Sequence, residues 1–178
     1  MSTLEVKELS HPSGEVIKIA AGKTLDLNTQ GSVTMPTGSV LQVVSSIFAS
    51  AFTSSSTSFV DIGHSVDITP KSANSTLYLE WVGNVNTNNI TGMGVAFREG
   101  SVSIGGGSQA GIGIFYYNAD GDVHNTHDNQ SMMTSTSSTG VTLRTFKISS
   151  KTTHGTANSH SIQGQWGPCM LRVTEVAQ

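Results

Sequence analysis

The stretch Thr57–Trp81, TSFVDIGHSVDITPKSANSTLYLEW, constrains the fold more than any other part of the chain. Val60, Ile62, Val66 and Ile68 share one phase of a two-residue alternation, with His64 between them, and Phe59, Asp61 and Asp67 fall in the other. Period two sends successive side chains to opposite faces, so this is a strand with one buried face rather than a helix. His64 reads as a hydrogen-bonded histidine beside a kink at Gly63. Pro70–Ser75 supplies turn chemistry, because Pro fixes its own φ and Asn tolerates the left-handed region. Alternation then resumes with Leu77, Leu79 and Trp81 against Tyr78 and Glu80. The expectation is strand, turn, strand.

Composition agrees with an all-β chain. Charged residues are 12%, against about 25% in an average domain. Ser and Thr make up about a quarter of the 178 residues, which suits solvent-facing strand positions clothed in hydroxyls. The net charge of -3 leaves no basic stripe for nucleic acid. The single Cys169 excludes a disulfide framework within one chain and reads as a buried residue of the last strand. No run of 18 apolar residues is present, so no membrane insertion is expected. The MSTLEVKEL start lacks the apolar core of a signal peptide, which points to synthesis in the cytoplasm.

In chain order, residues 1–38 read as a separate N-terminal unit. Short apolar pieces (Val16, Ile17, Ile19; Leu25, Leu27; Val33, Met35) are punctuated by Gly14, Gly22, Gly31 and Gly38. Strands this short are marginal alone, so the unit is either intertwined with other copies or an arm draped over a domain. Residues 39–178 form the second unit. A strand is expected over Val40–Ile47, then a Ser/Thr-rich loop or strand edge over Ala49–Ser58. Val82–Gly94 reads as a loop, Val95–Glu99 as a strand and Gly100–Gly113, with six glycines, as a flexible loop without phosphate-loop spacing. Ile112–Asn118 reads as a strand and Asn118–Asp122 as a hairpin turn. Asp122–Gly140 reads as an exposed polar excursion and Val141–Ser149 as a strand bulged between Leu143 and Phe146. Lys151–His160 reads as a loop, followed by strands at Ser161–Trp166 and Cys169–Val176 broken at Gly167-Pro168. Many short strands with regular turn signals give an antiparallel β-sandwich, jelly-roll-like.

Three pieces carry a family resemblance: PTGSVLQVV at Pro36–Val44, the Thr57–Leu79 block with its T-S-F-V-D-I and I-T-P-K-S-A motifs, and the ending LRVTEVAQ at Leu171–Gln178. They resemble fibre-like virion structural proteins of tailed phages, of the tail-fibre or head-fibre type, especially in marine phages. The resemblance implies a homotrimer with an intertwined β neck over residues 1–38, attached to a tail adaptor or major capsid protein. It implies a head over 39–178 that meets a host-surface receptor such as a glycan, or a capsid decoration protein of the same fold with no dedicated receptor site.

The chemistry-bearing cluster is DGDVHNTHD, with Asp120, Asp122, His124, His127 and Asp128. It reads as a solvated loop tip, with a divalent metal as the other reading, though the calcium-loop glycine and glutamate are misplaced. With Tyr116 and Tyr117, whose aromatic faces suit sugars, Asp120, Asp122, His124 and His127 are the candidate receptor contacts; a core role for one of the two tyrosines is the other reading. No nucleophile motif occurs, and no catalytic residue, resident metal or cofactor is assigned. A monomeric metal- or sugar-binding module is the reading from another class, and the orphan apolar residues of 1–38 argue against it.

Overall fold

The computed structural model describes residues 21–23, 35–87, 92–105, 113–115, 126–154, 159–164 and 167–178, with the backbone alone at 113–115, 126–128, 154 and 163. The chain divides into two compact units, Met1–Thr34 and Met35–Gln178. Of the first, residues 21–23 form a turn with Gly22 at φ 72°; the rest of the expected neck lies outside the described residues.

The second unit is an all-β antiparallel sandwich. Its strands are β1 (Val40–Phe48), β2 (Ala51–Ser54), β3 (Val60–Ile68), β4 (Thr76–Thr87), β5 (Gly92–Glu99), β6 (Val102–Ile104), β7 (Gly113–Phe115), β8 (Thr126–Ser137), β9 (Arg144–His154), β10 (His160–Gln163) and β11 (Cys169–Val176). One sheet runs β1-β11-β4-β10-β2 with β8 paired to β4; the other runs β3-β9-β5-β6 with β7 paired to β5. The chain crosses between sheets at β2–β3, β3–β4, β4–β5, β7–β8, β8–β9 and β9–β10, which is the jelly-roll manner of winding.

Alternation along each strand explains the core. Ile62, His64, Val66 and Ile68 of β3 and Leu77, Leu79 and Trp81 of β4 point inward and are buried, as the sequence predicts. They meet Phe146 and Ile148 of β9, Val95 and Phe97 of β5, and Leu171 and Val173 of β11. Each such side chain contributes about 1.5–3 kcal/mol on leaving water. Gly63 adopts φ 82°, a conformation open to glycine, at the point where the β3–β9 register shifts.

Four expectations are corrected. Val82–Thr87 continues β4 instead of looping, because β8 pairs with β4 along its whole length and β10 pairs with Val85–Thr87. Gly83 is part of the reason: a Cβ there would overlap the Trp81 indole, so only glycine leaves the ring room. The exposed excursion expected over Asp122–Gly140 contains β8, a twelve-residue strand whose side chain Met132 is buried. Within the expected glycine loop, Val102–Ile104 forms β6. Finally, β9 begins at Arg144 and runs through His154. Val141 and Leu143 precede it, 56% and 64% exposed, and its register irregularities fall opposite β3 and β5 residues, with none at the expected bulge.

Candidate functional site

Tyr116, Tyr117, Asp120, Asp122 and His124 lie outside the described residues. They belong to the connection from β7 in one sheet to β8 in the other. His127 and Asp128, expected at a loop tip, sit instead in β8, opposite Asn86 and Val85 of β4. Among the described residues there is no group of three or more His, Cys, Asp or Glu placed to hold a metal, and no helix long and apolar enough to cross a membrane.

The densest polar arrangement surrounds Glu175. Inward alternation along β11 carries its carboxylate to the end of the sandwich, where it is fully buried. Oε1 accepts hydrogen bonds from the Ser72 amide at 3.0 Å and the Ser75 hydroxyl at 2.6 Å. Oε2 accepts one from Gln42 Nε2 at 2.6 Å, and the Lys71 amide reaches both oxygens at 2.9 Å. Gln42 Nε2 also donates to the Thr69 carbonyl at 2.7 Å. Burial pushes the Glu175 carboxyl up, but the bonds from Ser75, Lys71, Gln42 and Ser72 outweigh it and hold it below the usual range. A carboxylate so enclosed fixes the Pro70–Ser75 turn; it is not placed to act on a substrate.

Two buried histidines join the sheets elsewhere. His160 of β10 has Ser150 Oγ at 2.8 Å from Nε2 and Thr152 Oγ1 at 3.1 Å from Nδ1, both hydroxyls on β9. The Ser–His contact has the spacing of a nucleophile and base, yet both residues are at most 1% exposed. Burial pulls the His160 pKa down to about 4, so it stays a neutral core contact. His64 stacks on Phe48 with ring centroids 5.5 Å apart, and its Nε2 lies 3.2 Å from the Ser46 carbonyl, tying β3 to β1. Burial lowers its pKa too, against the Ser46 bond.

The two outer faces differ in character. On the β3-β9-β5 sheet the outer positions carry Asp61, Asp67, Arg98, Lys147 and Lys151. Lys147 pairs with Asp61 at 2.7 Å, and the Arg98 and Lys151 cations lie 5.6 and 4.8 Å from the centroid of the Phe59 ring. On the β1-β11-β4-β8 sheet the outer positions form registered rows. Ile47, Met170, Val82 and Ser131 make one; Ser45, Arg172, Glu80 and Met133 the next; Val43, Thr174, Tyr78 and Ser135 the third. Arg172 Nε donates to Glu80 Oε2 at 3.1 Å. Sequence reasoning placed Tyr78 and Glu80 on this face, but missed that Val43, Ile47 and Met133 join them, because the rows exist only once register is known.

No protein-family model matches the chain, and no curated protein does. Among solved structures, a chain in the structure of infectious bursal disease virus Gx strain is similar to 88% of this chain, at 16% identity and a TM-score of 0.31. The likeness spans 41% of that chain's length.

Proposed function

We propose that this chain is a non-enzymatic structural protein of a tailed-phage virion, of the tail-fibre type. In this reading it is a homotrimer. Residues 1–38 attach it to a tail adaptor or capsid protein, and the sandwich is the head that meets a host-surface receptor such as a glycan. The β7–β8 connection, with Tyr116, Tyr117, Asp120, Asp122 and His124, is the candidate contact loop, since connections carried by a rigid scaffold are where recognition is placed.

One observation carries the reading. The three segments that resemble phage fibre proteins are far apart in sequence, yet they meet at Glu175. Gln42 comes from PTGSVLQVV, Lys71, Ser72 and Ser75 from the I-T-P-K-S-A turn, and Glu175 itself from LRVTEVAQ. The resemblance therefore follows one interlocked structural unit rather than three scattered matches, which favours a shared head architecture.

The test is immunogold labelling and peptide mass spectrometry of particles purified from a lysate that contains the protein. Peptides co-sedimenting with particles are expected, with gold at the tail. Gold spread over the capsid moves the protein to the decoration role, and recovery only in the particle-free supernatant refutes a virion role.

A further inference from the structure

Ten large hydrophobic side chains are exposed among the described residues, and five of them stand on the outer face of the β1-β11-β4-β8 sheet: Val43 (54%), Ile47 (62%), Tyr78 (42%), Val82 (37%) and Met133 (66%). Scattered exposed apolar residues are ordinary, whereas a contiguous set on one face marks a contact surface. The opposite sheet carries charged side chains on its exterior, with Ala96 and Ser149 buried among them, so the exposed apolar set belongs to one face of the fold and is not a general property of this low-charge chain.

The face also holds the complements of its own side chains. The three rows bear one cation and one anion, Arg172 and Glu80, adjacent on β11 and β4. The face is thus neutral, with no charge excess to recruit a strongly acidic or basic partner. Size alternates between its two margins. Large Ile47 and Val43 on β1 share rows with small Ser131 and Ser135 on β8, and small Ser45 shares one with large Met133. When identical faces turn toward a common axis along the strands, the β1 margin of one copy meets the β8 margin of the next. Large then meets small in every row, and Arg172 lies toward the partner subunit's Glu80. Repeating such a head-to-tail contact closes a ring. Four strands at about 4.8 Å and nine residues at about 3.4 Å give roughly 600 Å² in plan, which a ring divides between two neighbours, so each contact is smaller than the ~800 Å² per partner of a standard interface and the closed ring sums them.

We infer that this face is where copies of the chain pack against one another, so the head itself holds the oligomer together. The inference rests on the homo-oligomeric part of the reading above and replaces reliance on residues 1–38 with contacts between heads.

The test is light scattering of the full chain beside Ile47→Asp, Met133→Asp and, off the face, Leu143→Asp. All three positions are more than 60% exposed, so circular dichroism should show each variant folded. Wild type and Leu143→Asp are expected at three chains of 18.6 kDa, and Ile47→Asp and Met133→Asp at one. A wild-type mass of one chain overturns the inference. So does an unchanged mass in both face variants, or a loss of mass in Leu143→Asp equal to theirs. Particle labelling is read separately, so a virion protein held together by its N-terminal segment gives gold on particles with face variants of unchanged mass.

Discussion

Replacing Glu175 with Gln keeps the shape of the side chain while removing its charge and turning one acceptor oxygen into a donor. Four donors face that carboxylate: the Lys71 and Ser72 amides, the Ser75 hydroxyl and Gln42 Nε2. A hydrogen bond to a charged partner is worth about 1.5–3 kcal/mol and one between neutral groups about 0.5–1.5, so each donor loses about 1 kcal/mol. The Gln42 amide can rotate to meet the new NH₂, but its bond to the Thr69 carbonyl is then given up. The net cost is about 3 kcal/mol, which for a chain of this size lowers Tm by about 6–12 °C. The assay is thermal unfolding of Glu175→Gln and wild type by circular dichroism. The pH dependence has a fixed sign. The carboxyl is held below its ordinary range, so its stabilisation is present above that range and is lost as pH falls through the lowered value. The gap between the proteins should therefore be full at neutral pH and narrow only as pH falls below the ordinary carboxyl range. A variant melting within about 2 °C of wild type at neutral pH, or a gap that persists in acid, refutes the assignment of the turn's stability to this carboxylate.

His160, held at a pKa of about 4 by burial, stabilises the fold fully above the ordinary histidine value of 6.5. That contribution, about 3 kcal/mol, is lost as pH falls from there toward 4. Imidazole NMR should show a neutral ring at pH 6, and His160→Gln should flatten the fall of Tm over that window; a ring titrating at 6.5 sinks the idea. Gly83→Ala forces Trp81 out of its fully buried place, with about 1–3 kcal/mol of destabilisation and a red-shifted tryptophan emission; an unchanged spectrum contradicts the packing. Burial raises the Cys169 thiol against the backbone bond from Asn84, so a thiol reagent should react only as fast as the protein unfolds, and rapid labelling of the native chain counts against this.

Strands that bury one aliphatic face were legible before any coordinates. Val60–Ile68, Leu77–Trp81 and Cys169–Val176 declare themselves because every inward position but His64 and Glu175 is apolar. β8 did not, since its inward side chains past Met132 are Thr134 and Thr136, and its length is imposed by β4 alongside it. The end of β9 was hidden for a related reason. Ser150 and Thr152 point inward as polar residues because His160 supplies their partner from another sheet. Glu175 shows the same limit at the site. Nothing near Thr174-Glu175-Val176 announces that its partners sit about a hundred residues earlier. Local pattern reveals what a strand hides from water; it does not reveal which distant segment it meets.

The pairing of β1 with β11 has a kinetic consequence. β1 is the first strand of the sandwich and β11 the last, and β11 fills the gap between β1 and β4. The amides of Gly38 and Ala177 donate to the carbonyls of Ala177 and Ser39, closing that seam at its end. Until β11 has left the ribosome, β1 and the Leu77–Trp81 part of β4 lack the strand that joins them, and two apolar edges stand open. Such long-range closure slows folding and lengthens the time that edges are exposed. The sandwich therefore closes only once β11 has taken its place between β1 and β4, and until then its two unpaired edges are the part of the fold most open to wrong strand pairing.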